Sequence, residues 1–445
     1  MQRSRDPRLQ PTDFARRLDL QTAPLPLRAD RLRHAPFNDR MRIMTMASQR
    51  LWWLSLMCVS LPSYATMGAF AGGNGIKSLG MGGVSYSVAA ETTALSGNPA
   101  HALGLGSRYD VGSDFFYARA NATISGNAIA EDSTSNSDGR SYYMIPQAGF
   151  TRRLNERWAF GMTILSAGIG PDYDGSPFAR FGGNPERVSL QLASSSLDSV
   201  LAYRLSPSVD VGVSLNSGYQ VFSAKGLEFL DNAMVSSSPG DVTNQGKDGV
   251  FTLGASAGVL WRINSWLTAG ASYRSKNHNG KHTEYRGLIA GGGRLELPAI
   301  YGGGFSIQAS PRTTIAVEAQ RYEYRKEEAF GNGLDRLEAG VPLGAPNGAG
   351  FGFDNQNVYK LGVSFDVSSR LTVRGGYIYG TNVVTEQNTL FAFLGPVTLQ
   401  EQYSVGATQH WGHWELSAYG NLSPRRTVRG KDSIPDGFGG GEADI

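Results

Sequence analysis

Cysteine is nearly absent from the 445 residues: Cys58 stands alone, so no internal disulfide, cysteine-built metal site or cysteine pair can organise the chain. Charge is also sparse, at 18% of residues, with 41 basic against 38 acidic side chains and a formal net charge of +3. That balance argues against a nucleic-acid partner, which would require a basic stripe. After residue 66 no stretch approaches the roughly 20 consecutive apolar residues that a helix needs to cross a bilayer. Helix-favouring composition is lacking too, because 57 glycines make up about twice the usual share and each weakens a helix interior. A Gly-rich, aromatic-rich β protein remains.

The first 65 residues stand apart. Residues 1–40 carry nine Arg, five Asp and five Pro without an apolar period, which reads as an unstructured or mis-started extension. Residues 41–65 read as a secretory signal: Met41, Met44 or Met46 as the start, Arg50, an apolar run from Leu51 to Leu61, and Ser63-Tyr64-Ala65 at the cut. The run is too short to span a membrane. Residues 1–65 hold eleven Arg, no Lys and five Asp, a net of +6, so the chain after Ala65 carries 3 − 6 = −3 and no thiol.

From about Gly106 the dominant period is two. In 359–367 the apolar residues Tyr359, Leu361, Val363, Phe365 and Val367 alternate with Lys360, Gly362, Ser364 and Asp366. Such strands either bury the apolar face or turn it to lipid. The pattern predicts thirteen strands, at 107–118, 141–154, 157–168, 187–204, 208–225, 249–263, 266–276, 298–309, 312–325, 356–367, 370–381, 399–411 and 413–422. Their connections alternate. Asn155-Glu156, Ser206-Pro207, Asn264-Ser265, Ser310-Pro311, Ser368-Ser369 and Gly412 are tight turns, and the segments between them are long. Short turns at one end and long loops at the other are the signature of an outer-membrane β-barrel. Trp158, Trp261, Trp266, Trp411 and Trp414 all fall beside the short turns, where an interfacial aromatic ring belongs.

An open sheet edge in hydrocarbon is costly, and closure with both ends on one side requires an even number of strands. Thirteen strands therefore predict a fourteenth that is missing, and a barrel, residues 106–445, that is incomplete at its C-terminus. Residues 66–105 show no alternation and are expected to form a plug, or hatch, inside the lumen. This segment runs through Gly72-Gly73-Asn74-Gly75, Gly80-Met81-Gly82-Gly83, an Ala-rich acidic stretch and the triplet Asn98-Pro99-Ala100. The combination resembles the FadL-type outer-membrane transporters of long-chain fatty acids and aromatic hydrocarbons. Gly439–Ile445 looks like that family's last loop running into strand fourteen.

The resemblance implies an all-β, fourteen-stranded transmembrane barrel with an N-terminal hatch, acting as a passive route for hydrophobic small molecules across the bacterial outer membrane. It implies no catalysis and no cofactor. It also implies ligand capture by the outer loops, movement of the plug, and lateral release at an inward kink in the third strand. There Gly161, Gly168, Gly170 and Pro171 interrupt regular pairing, and Asn98, Pro99 and Ala100 with Gly161 are the expected hatch-to-kink contact. Plug turns fall to Gly80, Gly82 and Gly83. The apolar loop residues Phe178, Phe181, Leu227, Phe229, Leu230, Phe391 and Phe393 suit a greasy ligand more than an ion, the alternative being that they pack loop against loop. By alternation Arg274, Lys360 and Arg374 point inward, where each either binds a ligand carboxylate or pairs with Asp366 or Glu318. Expected partners are the hydrophobic ligand, outer-membrane lipid and the barrel-assembly machinery, with the chain a monomer.

Other classes find less support. A general diffusion porin or a non-transporting, adhesin-like barrel shares the strands but not the forty-residue hatch. Gly75-Ile76-Lys77-Ser78 lacks phosphate-loop spacing. His278, His282, His410 and His413 lie on a loop and at a turn, away from the helical spacing that pairs metal ligands. His101 reads as a packing residue of the hatch.

Overall fold

Among the described residues thirteen wall strands, numbered in chain order, follow one another along a single antiparallel path. They are β1 Arg108–Tyr117, β2 Tyr142–Arg153, β3 Trp158–Ile169, β4 Arg187–Ser206, β5 Val209–Lys225, β6 Asp248–Arg262, β7 Leu267–Arg274, β8 Ile300–Ser310, β9 Thr313–Tyr322, β10 Gln356–Ser368, β11 Leu371–Gly380, β12 Glu401–Trp411 and β13 Trp414–Leu422. The computed structural model describes residues 70, 72–129, 131–139, 142–185 and 187–445. The extension 1–40, the signal segment with its cut near Ala65, and Cys58 lie outside the described residues. The observed strands match the periodicity to within a few residues, because alternation marks where a strand must keep one face greasy and one wet.

Side-chain exposure gives the two faces their identity. Val213, Leu215, Val259, Val317 and Leu361 stand exposed on the outer face, within their strands. The five tryptophans named above are exposed beside the short turns, and Tyr219, Phe251, Tyr273, Tyr301 and Tyr379 are exposed toward the opposite ends. An apolar band between two aromatic girdles suits a bilayer. No helix among the described residues is long and apolar enough to cross a membrane; the crossing elements are strands.

Among the described residues no backbone pair joins β1 to β13. Side chains reach across instead. Arg108 pairs with Glu415 at 2.8 Å, Lys77 of the hatch pairs with the same carboxylate at 2.5 Å, and the Tyr419 hydroxyl donates to Asp114. The stretch ending Glu442–Asp444 does not enter the wall. It pairs with Asn121–Ser125, which pairs with Ser133–Asn136, in a small separate sheet. Ala443 and Ile445 are buried in the loop core there, an apolar anchorage that holds this stretch among the loops.

The lipid-facing assignment predicts that Leu361→Arg costs about 2–4 kcal/mol of folding stability in a phospholipid bilayer. Urea titration of refolding into vesicles reads the difference, and an unchanged midpoint would contradict an outward-facing Leu361.

Candidate functional site

The hatch occupies the inner face of the wall and touches it backbone to backbone. Its short helix Ile76–Leu79 ends at Gly80, and Gly82 and Gly83 follow with φ of 68° and 70°, left-handed geometry that favours glycine. This turn lies against glycines of three successive strands. A Cβ on Gly362 of β10 would collide with Met81 and one on Gly376 of β11 with Gly82, and one on Gly406 of β12 would press Gly80 at 3.0 Å. Gly362 and Gly376 are directly paired across the ladder, so the floor is continuous. The Gly82 N–H donates to Ser404 Oγ at 3.0 Å.

The Asn-Pro-Ala triplet docks in the same manner elsewhere. Asn98 is fully buried and caps the turn Pro99–His101 by accepting from the Ala100 N–H at 3.1 Å. Its Nδ2 donates to the carbonyls of Tyr86 at 2.8 Å and of Val259 on β6 at 3.0 Å. Beneath it lie Gly212 of β5 and Gly258 of β6, paired with each other, where added Cβ atoms would strike Pro99, Ala100 and Asn98. The triplet therefore meets β5 and β6, while Gly161 of β3 meets Leu95, whose Cδ1 would stand 2.8 Å from a Cβ at that glycine. These expected partners belong to two separate contacts.

Between the docks, Glu318 of β9 receives three successive hatch N–H groups, those of Ser85, Tyr86 and Ser87, at 2.8, 2.8 and 2.9 Å, as well as the Ser87 hydroxyl. Charge-assisted bonds of this kind are about twice as strong as neutral ones. Lys360 is buried and donates to the Gly83 carbonyl at 2.8 Å. His101 is buried beside the Ser85 carbonyl at 3.0 Å, and burial lowers its imidazole to about 4, so it sits there neutral.

Strand β3 is paired unevenly. With β4 it pairs from Trp158 to Ile169, but with β2 only from Ala159↔Arg153 to Thr163↔Gly149. Among the described residues no backbone pair joins Ile164–Ile169 of β3 to β2, although Tyr142–Ala148 of β2 remain paired with β1. The Tyr143 hydroxyl bridges to the Gly170 carbonyl across this interval. Of the expected gate residues, Gly161 lies within the paired portion, Gly168 is paired with Ala193, Gly170 follows the strand end, and the Pro171 carbonyl accepts from Leu190.

Two adjoining cavities open behind this interval. One takes in about 470 Å³ of space, part of it open to solvent, and is lined in part by Phe70, Tyr86, Leu165, Arg274, Tyr322 and Lys360. The second, about 260 Å³, shares Phe70, Leu165 and Arg274 and adds Ala167 and Leu297. Phe70 forms an antiparallel bridge with Ala167 and stacks on Tyr322 at 5.2 Å. Leu165 and Ala167 lie in the portion of β3 that β2 leaves unpaired.

The loop residues converge too, but on one another. Phe178, Leu227, Phe229, Leu230, Phe391 and Phe393 are buried in one cluster, with Phe181 packed against it. Phe178 lies 5.1 Å from Phe229 and 5.9 Å from Phe393, ring to ring, and Phe438 packs 5.7 Å from Phe229. None of them lines either cavity. Of the inward cations, Arg274 pairs with Asp198 rather than Asp366 or Glu318, and Arg374 donates to Thr408 Oγ1 at 2.6 Å. Sequence reasoning missed Phe70, Asp198 and the docking glycines Gly212 and Gly376. The glycines left a signal, since they fall at inward positions of strands where β-formers are otherwise favoured.

A family model described as outer membrane protein transport protein (OMPP1/FadL/TodX) matches residues 63–415. Among solved structures, the Ralstonia pickettii toluene transporter TbuX is 18% identical, with 84% of this chain and 96% of that chain covered and a TM-score of 0.60. The Pseudomonas putida toluene transporter TodX is 16% identical over 84% and 95%, also at 0.60. A Pseudomonas aeruginosa FadL homologue is 15% identical over 85% and 96%, at 0.61. These likenesses are of fold. No curated protein matches the chain at a significant level.

The glycine floors predict that Gly212→Leu with Gly258→Val displaces the hatch while the wall still folds. Planar-bilayer recording should show ion conductance at least about tenfold above wild type, since core overpacking of this kind forces neighbours to shift; unchanged conductance would count against close docking.

Glu91 supplies a pH dependence. Its Oε1 accepts from the Lys77 and Ser78 N–H groups at 2.7 and 3.0 Å, yet burial outweighs them and pushes the carboxyl up to about 7. A raised acid favours the docked hatch while protonated: the contribution is whole below about pH 4.5 and is lost as pH climbs through 7, amounting to ~3 kcal/mol. Amide exchange of the Lys77 and Ser78 N–H groups, corrected for intrinsic rates, should lose protection between pH 5 and 8, and Glu91→Gln should flatten that loss.

Proposed function

Given that the chain belongs to the outer membrane protein transport family of FadL and TodX, we propose that it takes up hydrophobic small molecules passively across the bacterial outer membrane. The cargo class is long-chain fatty acids or aromatic and aliphatic hydrocarbons. A single observation carries this reading: the cavities share Leu165 with the portion of β3 that β2 leaves unpaired. An apolar molecule held there is one strand away from lipid, and a route sideways spares it the water of a porin lumen.

In this reading the cluster around Phe178, Phe229 and Phe393 parts to admit ligand, and the hatch yields behind it. Phe70 then withdraws from Ala167, and the molecule leaves between β2 and β3 past Gly168, Gly170 and Pro171. The hatch anchors at Asn98–Ala100 and Glu318 hold the remaining plug in place, so ions stay excluded. The chain enters the periplasm on its signal segment, is cut near Ala65, and is inserted by the barrel-assembly machinery as a monomer among outer-membrane lipids. No step calls for a catalytic group or cofactor. A diffusion porin accounts for the wall but gives no purpose to a hatch docked on glycine.

Filling the break tests the route. Ala167→Trp should lower uptake of a radiolabelled alkylbenzene or fatty acid into whole cells by at least about tenfold, as loss of an aromatic-sized site implies, with folded mobility on gels retained. Undiminished uptake by a correctly folded Ala167→Trp protein would refute release at this point. Unimpaired growth of a gene-deletion strain on alkane, aromatic and fatty-acid carbon would refute the transport reading itself.

A further inference from the structure

The inference rests on the transport reading above and concerns what the cavity rejects. Arg274 is buried and lines both cavities. A bare guanidinium there would be a ready receptor for a ligand carboxylate, because its planar fork matches one in two-point geometry. The fork is already occupied. Nη1 donates to Asp198 Oδ2 at 2.7 Å, and Nη2 donates to Asp198 Oδ1 at 3.1 Å and to Ser196 Oγ at 2.9 Å. The Ser196 hydroxyl in turn donates to Asp198 Oδ1 at 2.9 Å, closing a triangle with Nη2 that ties the carboxylate to the guanidinium.

Asp198 is fully buried and is not itself part of either cavity lining. It comes from β4 and Arg274 from β7, with β5 and β6 between them, so the pair spans the inner face of four strands. The second cation of the lining, Lys360, is committed to the Gly83 carbonyl at 2.8 Å and stands 6.0 Å from the Tyr86 ring centre. The remaining cavity surface mixes apolar side chains, among them Phe70, Leu165, Leu297 and Tyr322, with neutral polar ones such as Ser272, Asn277 and Gln320. A carboxylate entering this space would be desolvated without gaining a free cation, whereas a neutral molecule gives up no charge hydration on entering.

We propose that Asp198 is a specificity-determining positioning residue: by closing the guanidinium fork of Arg274 it makes the cavity beside β3 select neutral hydrophobic molecules over carboxylates of similar size. Its removal would leave a buried, uncompensated cation that an anionic ligand can satisfy.

The probes are ethylbenzene and benzoate, with affinities measured by equilibrium dialysis on the purified full-length protein in detergent. Wild type should bind ethylbenzene at least about tenfold more tightly, and Asp198→Asn should raise the benzoate-to-ethylbenzene affinity ratio by at least about tenfold. Asp198→Glu, which keeps the charge, should hold the ratio within about threefold of wild type, and Asp198→Asn with Arg274→Gln should abolish the gain. A merely structural Asp198 would weaken both probes together and would not raise the ratio. A folded Asp198→Asn protein with an unchanged ratio overturns the proposal, as does a wild type that binds both probes equally. Should Asp198→Asn fail to fold, Arg274→Gln decides: a ratio within about threefold of wild type supports the closed fork, and a fall of about tenfold shows that Arg274 already receives the carboxylate and overturns it. A wild type that binds neither probe defeats the transport reading and this proposal with it, whereas ethylbenzene binding without a change in ratio defeats the role of Asp198 alone.

Discussion

Backbone can approach backbone only where no Cβ stands between, and the hatch is held by that constraint. Its two firmest contacts, Gly80–Gly82 over Gly362, Gly376 and Gly406, and Asn98–Ala100 over Gly212 and Gly258, are both built on glycine floors. Close approach brings polar backbone within reach of polar wall side chains, so Glu318 can collect three hatch N–H groups and Asn98 can bond a wall carbonyl. A plug fixed at these points fills the inner face without a large apolar core of its own. That is why the stretch from Gly72 to Leu105, with little regular structure, is still held against the wall.

The wall answers to a different demand. Backbone groups facing hydrocarbon must be paired, so a ladder that stops short is costly unless something else meets the freed groups. On β3 the ladder to β2 stops at Thr163, and behind the unpaired portion lie the hatch residue Phe70 and the two cavities. The break thus falls where protein and enclosed space, rather than lipid alone, adjoin the strand. It starts between the sequence-predicted glycines, not at one of them. Glycine permits a bend, but the loss of a ladder depends on where the neighbouring strand leads, and β2 stays with β1.

Inside, several buried charges meet an opposite one. Asp198 takes Arg274, Glu415 takes Lys77 and Arg108, and Asp210 takes both Arg204 and Arg262. Buried charges persist only when paired and hydrogen-bonded, since each alone costs far more than the pair. At the far end the aromatic residues of separate loops close over one another and over Phe438.

Much of the wall was legible in the sequence. A strand with lipid on one side and a wet interior on the other must alternate, and that period, with turn residues such as Ser206-Pro207 and tryptophans beside the short turns, located all thirteen strands to within a few residues. The glycine-rich, unalternating stretch before β1 marked the hatch for the same reason, by the absence of a period. Which groups meet was not legible. That Asn98 lies on Gly258 and not near Gly161, that Arg274 finds Asp198 three strands away, and that Phe70 covers Ala167 are all contacts between residues distant in the chain. Local alternation decides which way a side chain points, inward or out; only the folding of strands and hatch against one another decides what it points at.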